Sequence, residues 1–312
     1  MGAFADGSVL GLPRRASLLA GTGLASLFAA GLTVAARPAA AQLPTGGQVT
    51  AGSATIHQTS STRMDVTQST SRAVIDWRSF SIGSGNSVNF LQPSSTSITL
   101  NRVNGADPSV IAGQLSANGR LVLINPNGVV FSQGSSVDTA GLVATTLGIG
   151  NSDFMAGRMT FSLAGRDGAS VVNEGDITVR DGGLAALVAP EVRNSGTIRA
   201  RMGRVVLAGA ESMTLDPRGD GLISFEVART GPERTTRAEN TGRIEAQGGS
   251  VTISAASARG IVAGVVNVEG QVIATSVGQQ NGVVSFGSGE NGTTTVAGNV
   301  DVRGSGTGQT GG

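Results

Sequence analysis

Four phrases decide how this chain reads: VVNEGDITV (171–179), VRNSGTIRA (192–200), AENTGRIEA (238–246) and NVEGQVIA (267–274). Each runs Asn, one or two residues, Gly, one residue, then a β-branched residue two places before an Ala or Val. The asparagines fall at 173, 194, 240 and 267, at intervals of 21, 46 and 27. The middle interval is close to twice the first, which predicts one degenerate coil between 194 and 240. A second strand-like run follows each phrase in phase: 182–190, 203–210, 248–256 and 281–288. A period of roughly 20–25 residues with two or three short strands suits a parallel β-helix. Coils then stack, inward Val, Ile and Leu fill a continuous core, and registered asparagines form an amide ladder along one corner. Leucine-rich repeats need leucines at fixed positions that are not seen, and a β-sandwich predicts no recurring Asn-x-Gly phrase.

The rest of the chain agrees with an all-β reading. Of 312 residues, 48 are Gly, 39% are apolar and 14% are charged. That apolar content argues against disorder, and no three-residue glycine period suggests collagen. There is no Cys and no Lys, which removes disulfides, thiolate chemistry, Schiff bases and P-loop lysines. No stretch of a dozen residues keeps a helical period without Gly or Pro, whereas strand-like runs occur at 63–67, 73–77, 87–91, 97–103, 120–124 and 129–132. In 97–103 Ile98, Leu100 and Arg102 share one face and Thr99, Asn101 and Val103 the other, so alternation is incomplete. Asn-Gly pairs at 104, 118, 127, 281 and 291 mark turns.

The first segment reads as a targeting signal. Arg14 and Arg15 precede the uncharged stretch 16–34, and AARPAAA follows, ending at Ala41. Basic, apolar and small-residue regions in that order predict a signal peptide over 1–41, cleaved between Ala41 and Gln42. Its removal takes away Arg14, Arg15, Arg37 and Asp6, leaving 19 Arg against 20 acids, so the formal +1 of the whole chain becomes −1. Nucleic-acid binding loses its electrostatic footprint.

The stretch 73–146 resembles the secretion domain of filamentous haemagglutinin-type proteins, the exoproteins of two-partner secretion in Gram-negative bacteria. The phrases are Ile75-Asp76-Trp77 with Phe80 and Ile82, Val88-Asn89-Phe90, and Leu100-Asn101-Arg102-Val103. Then come Gly113-Gln114-Leu115, Asn118-Gly119, and Asn125-Pro126-Asn127-Gly128-Val129 with Phe131. With the flanking strands the resemblance spans roughly 45–290. It implies a right-handed parallel β-helix with an N-terminal cap and extra-helical β elements. It also implies recognition by the POTRA domains of a cognate outer-membrane β-barrel transporter, with no cofactor. The family's Asn-Pro-Asn-Leu motif has no clean copy, its nearest counterpart being the proline turn Asn104–Ser109. The expected organisation is signal peptide 1–41, secretion domain with cap and first coils 42–170, further coils 171–303, and a flexible Gly-rich tail 304–312.

Several motifs carry alternatives. Asn125-Pro126-Asn127-Gly128 lies between apolar runs, and its residue types suit the successive positions of a turn. The resemblance makes it the secretion motif as well, and the two roles are compatible. Arg218-Gly219-Asp220 is a receptor tripeptide in form, its Asp able to coordinate a receptor's metal, but DPRGDG is also a plain turn sequence. His57, the single histidine, has no GxSxG elbow to serve, and Cys/His clusters are absent. Asp153, Asp167, Asp176 and Asp181 are scattered beside turns. Asn291-Gly292-Thr293 is an isolated sequon.

These features predict a non-enzymatic secreted exoprotein serving adhesion, with its transporter and a cell-surface receptor as partners and no nucleic acid. The other classes are a secreted β-helix that binds or cleaves polysaccharide, and an autotransporter passenger, which would need a C-terminal barrel. Absent cysteine fits passage through a narrow barrel in an unfolded state.

Overall fold

The inward apolar residues of the repeat stack directly on one another. In the computed structural model, which describes residues 43–215, 223–226, 236–255, 264–288, 292–304, 306 and 311–312, three parallel sheets wind into a β-helix. One sheet has ten strands, one nine and one seven. A full coil gives one strand to each, as Asp176–Val179, Leu184–Ala189 and Glu191–Asn194 do. The next coil repeats this with Thr197–Arg199, Arg204–Gly209 and, after an excursion, Thr236–Asn240. The strands read from sequence lie within two residues of those observed.

Register makes the core. On the ten-stranded sheet Val88, Leu115, Ile177, Ile198, Ile244 and Val272 belong to one inward column that also contains Val137. All are buried, so each coil removes its neighbour's apolar surface from water. At the N-terminal end the filling is aromatic, with Trp77 edge-on to Phe80 at 5.3 Å and Phe90 beyond. The expected cap is present. Gln48–Ala51 runs antiparallel to Arg72–Trp77, and Ala54–Gln58 antiparallel to Arg63–Gln68. These two strands cover the edges that a parallel coil would otherwise leave open.

The amide ladder is real but shorter than the phrases suggested. Asn173 donates Nδ2–H to Asn194 Oδ1 at 2.7 Å, and Asn194 donates likewise to Asn240 at 2.7 Å. Asn240 stands opposite Val268 in the next coil, while Asn267 pairs with Glu239 and bonds Glu269 on the outer surface. The fourth asparagine is one residue out of register, and a one-residue shift turns a side chain to the other face. The degenerate coil expected between 194 and 240 is also absent. Glu191–Asn194 pairs directly with Thr236–Asn240, and Arg204–Gly209 with Ser250–Ala255. The extra length is an excursion carrying Ser212–Leu215 and Ile223–Glu226, which pair antiparallel with each other.

That excursion belongs to a second layer. Met159–Phe161 completes a three-stranded antiparallel sheet with it, beside a short helix, Asn151–Ala156. They cover the outer face of the nine-stranded sheet, where Val74, Leu100, Val122, Ile124, Ala186, Val188 and Val206 pack with Phe154, Phe161 and Met213. The incomplete alternation of 97–103 now has its reason: a strand buried on both faces need not alternate. Arg72 anchors the layer by donating to the Phe154 carbonyl at 3.1 Å with its guanidinium over that ring. Among the described residues no helix is long and apolar enough to cross a membrane.

The ladder predicts unequal costs for two asparagines. Asn194→Ala leaves a buried donor on Asn173 and a buried acceptor on Asn240, each worth about 1–3 kcal/mol. Urea unfolding should therefore show a loss of several kcal/mol for Asn194→Ala and less than about 1 kcal/mol for Asn267→Ala.

Candidate functional site

The Asn125–Gly128 turn is built from the inside. Gly128 N–H donates to the Asn125 carbonyl at 3.0 Å, closing a four-residue turn with Pro126 and Asn127 at its centre. Asn125 is fully buried. Its Oδ1 accepts from the Asn127 N–H and from Asn127 Nδ2, both at 2.9 Å. Its Nδ2 donates to the Asp107 carbonyl and to Ser109 Oγ, both at 3.0 Å. Asn127 Nδ2 reaches the Gly105 carbonyl at 2.9 Å. Two side-chain amides thus tie this turn to the Asn104–Ser109 turn of the preceding coil. On the opposite side the Arg166 N–H donates to the Pro126 carbonyl at 2.8 Å. Gly128 has φ +118°, and a Cβ there would stand 3.1 Å from the Ser170 carbonyl, so both conformation and space favour glycine.

Other phrases of the 73–146 stretch also meet. Strands Arg72–Trp77 and Ile98–Val103 pair so that Asp76 faces Arg102. The half-buried ion pair is bidentate, at 2.9 and 3.0 Å, and Arg102 also donates to the Ile149 carbonyl of the covering layer. Trp77 Nε1–H donates to the buried Asn101 Oδ1 at 3.0 Å. Asn118 accepts from the Gln92 N–H at 2.6 Å and donates to the Gln92 carbonyl at 2.7 Å. None of these linkages was legible from the phrases alone, because each joins residues 24 to 47 positions apart across coils.

The residues considered for catalysis do not converge. His57 is exposed on a cap strand. Asp153 pairs with Arg158, Asp176 with Arg199 and Asp181 with Arg201, at 2.7, 3.1 and 2.9 Å on the surface. Asp301 is held down to about 2 by hydrogen bonds from Arg303. Among the described residues no three His, Cys, Asp or Glu group as metal ligands would. A shallow furrow of about 840 Å³ follows the corner glycines 196, 242, 270 and 298, where a Cβ on Gly242 would collide with the Gly196 carbonyl. Its lining holds one carboxylate, Glu269, with Arg243 engaged by Gln271 and Glu245. Paired carboxylates for glycoside hydrolysis are not assembled there. Arg218-Gly219-Asp220, the signal peptide with Ala41 and Gln42, and Asn291 lie outside the described residues.

The turn's buried amides carry a stability cost. Gly128→Ala should lower stability by about 1–3 kcal/mol through its positive φ, and Asn125→Ala by a similar amount through orphaned partners. Both should shift the urea midpoint, whereas His57→Ala should stay within about 0.5 kcal/mol of the parent.

Comparison with known proteins places this geometry. The family model described as TPS secretion domain matches residues 40–302. A heme/hemopexin-binding protein of Haemophilus influenzae is 33% identical over 261 residues, covering 81% of this chain and 28% of that protein. A second protein of that name from the same species is 45% identical over 95 residues, covering 30% of this chain and 10% of its own length. The chain therefore spans under a third of these relatives. The crystal structure of the HMW1 secretion domain from Haemophilus influenzae superposes with a TM-score of 0.73 at 30% identity, covering 82% of this chain and 66% of that one. These matches are to secretion domains and exoproteins, not enzymes. Exoproteins with such a domain are secreted across the outer membrane with a cognate transporter as partner, and this chain, matched over nearly all of its β-helix, belongs to the TPS secretion domain family of two-partner secretion exoproteins.

Proposed function

We propose that the chain is exported behind the signal peptide 1–41, cleaved between Ala41 and Gln42, and crosses the periplasm to be recognised there by the transporter's POTRA domains. Residues 42–170 form the part that is recognised, with Asn125-Pro126-Asn127-Gly128 as the secretion motif, and 171–303 are coils that extend from it. The observation that carries this reading is the family match over 40–302 together with the Asn125–Gly128 turn at the centre of three successive corner segments. Once outside, coil-by-coil burial of columns such as Ile177, Ile198 and Ile244 disfavours return and draws the chain outward. The exported protein serves adhesion at a cell surface. A second reading, favoured by the 33% identity to the Haemophilus relative, is that it binds heme or hemopexin, the ligands in that relative's name.

The test is secretion of the full chain from cells with and without the cognate barrel. With the barrel removed, the cleaved chain should accumulate in the periplasm and vanish from the medium. Unchanged export would sink the central reading. Equally, a chain trapped in the periplasm in a stably folded form, yet released later at a normal rate, would overturn the role assigned to folding.

A further inference from the structure

The secretion motif is mostly hidden. Asn125 and Gly128 are buried, and Pro126 and Asn127 are only partly exposed. The two segments that the turn holds are the opposite. Before it, Asn104, Ala106, Asp107 and Pro108 are exposed, and so is Val110, at 41%. After it, Ser162, Ala164 and Arg166 are exposed, and Leu163 reaches 61%. Five large apolar side chains stand exposed among the described residues. Two of them, Val110 and Leu163, lie in the two segments that the turn holds.

The backbone ties the three segments together. Asn127 holds the Gly105 carbonyl and Asn125 the Asp107 carbonyl. The Ser109 N–H donates to the Gly128 carbonyl at 3.0 Å. On the far side Arg166 is fixed on the Pro126 carbonyl, and Leu163 is paired with Gly148 through an N–H···O bond of 2.7 Å. A protein approaching this corner meets the two loops before it meets the motif.

We infer that the surface read by the transporter is the pair of loops 104–110 and 162–166, and that Asn125 and Asn127 are positioning residues that hold those loops in register. This rests on the reading that the transporter's periplasmic domains recognise the chain. The contact fits a protein surface with apolar groups for the exposed Pro108, Val110 and Leu163 and polar groups for Asp107 and Arg166. Such contacts combine both kinds of group.

The test measures binding of the cleaved chain to the purified periplasmic domains of its transporter, with the thermal midpoint of each variant recorded alongside. Leu163→Asp and Val110→Asp should each raise Kd at least tenfold with the midpoint unchanged. Thr295→Asp, on an exposed strand many coils away, should leave Kd as it was. Asn127→Asp removes the donor to Gly105, so it should raise Kd and speed amide exchange at 105–109, while exchange at 176–179 stays slow. If the parent chain binds but both loop variants bind within twofold of it, the loops are not the contact and the inference falls, with transporter recognition intact. If the parent chain does not bind, the recognition reading falls as well.

Discussion

Everything in this molecule depends on one constraint: a coil must place its inward residue directly over that of the coil before it. Parallel pairing supplies the direction but tolerates slippage, since backbone hydrogen bonds are alike at every register. The buried Asn173–Asn194–Asn240 ladder removes that freedom over three coils. A slip by one residue would separate the three amides and break both Asn–Asn bonds, leaving buried donors and acceptors unpaired at about 1–3 kcal/mol each. Buried polar groups often specify register in this way. Here the ladder joins the coils on either side of the insertion between Gly209 and Thr236.

The excursions show how a repeating fold accommodates what does not repeat. The nine-stranded sheet has apolar side chains on both faces, so its outer face needs a cover. The cover comes from two separate departures, one holding Asn151–Ala156 and Met159–Phe161, the other Ser212–Leu215 and Ile223–Glu226. Arg72 and Arg102, on the first coils, fasten this layer through carbonyls of Phe154 and Ile149. Early coils and late insertions are thereby joined, which a strictly nearest-neighbour solenoid would not achieve.

How much was legible follows from the range of each interaction. Strand positions and the β-helix itself were readable because inward valines and isoleucines recur with the coil, and local alternation survives in one sequence. The length of the ladder was not readable, since Asn267 and Val268 differ by one place and only pairing tells which faces inward. The 46-residue interval was ambiguous for a similar reason: two coils and one coil with an excursion have the same length. The partnerships Asp76–Arg102 and Trp77–Asn101 were hidden as well, although both phrases stood out. Their meaning lies in adjacency across a coil, which no single phrase contains.

The same logic bears on how a motif should be understood. Asn-Pro-Asn-Gly reads as a turn because each residue suits a turn position, and that reading holds. What the residue types do not convey is where the side-chain amides point. Asn125 donates to the Asp107 carbonyl and Ser109 Oγ, and Asn127 to the Gly105 carbonyl and Asn125 Oδ1, so all the motif's side-chain donors are consumed within the protein and only Asn127 Oδ1 is left without a partner. A group already satisfied and buried has little left to offer a partner without first breaking those bonds. The constraint on these residues is therefore largely internal: they fix the turn and the segment of the preceding coil to which it is tied.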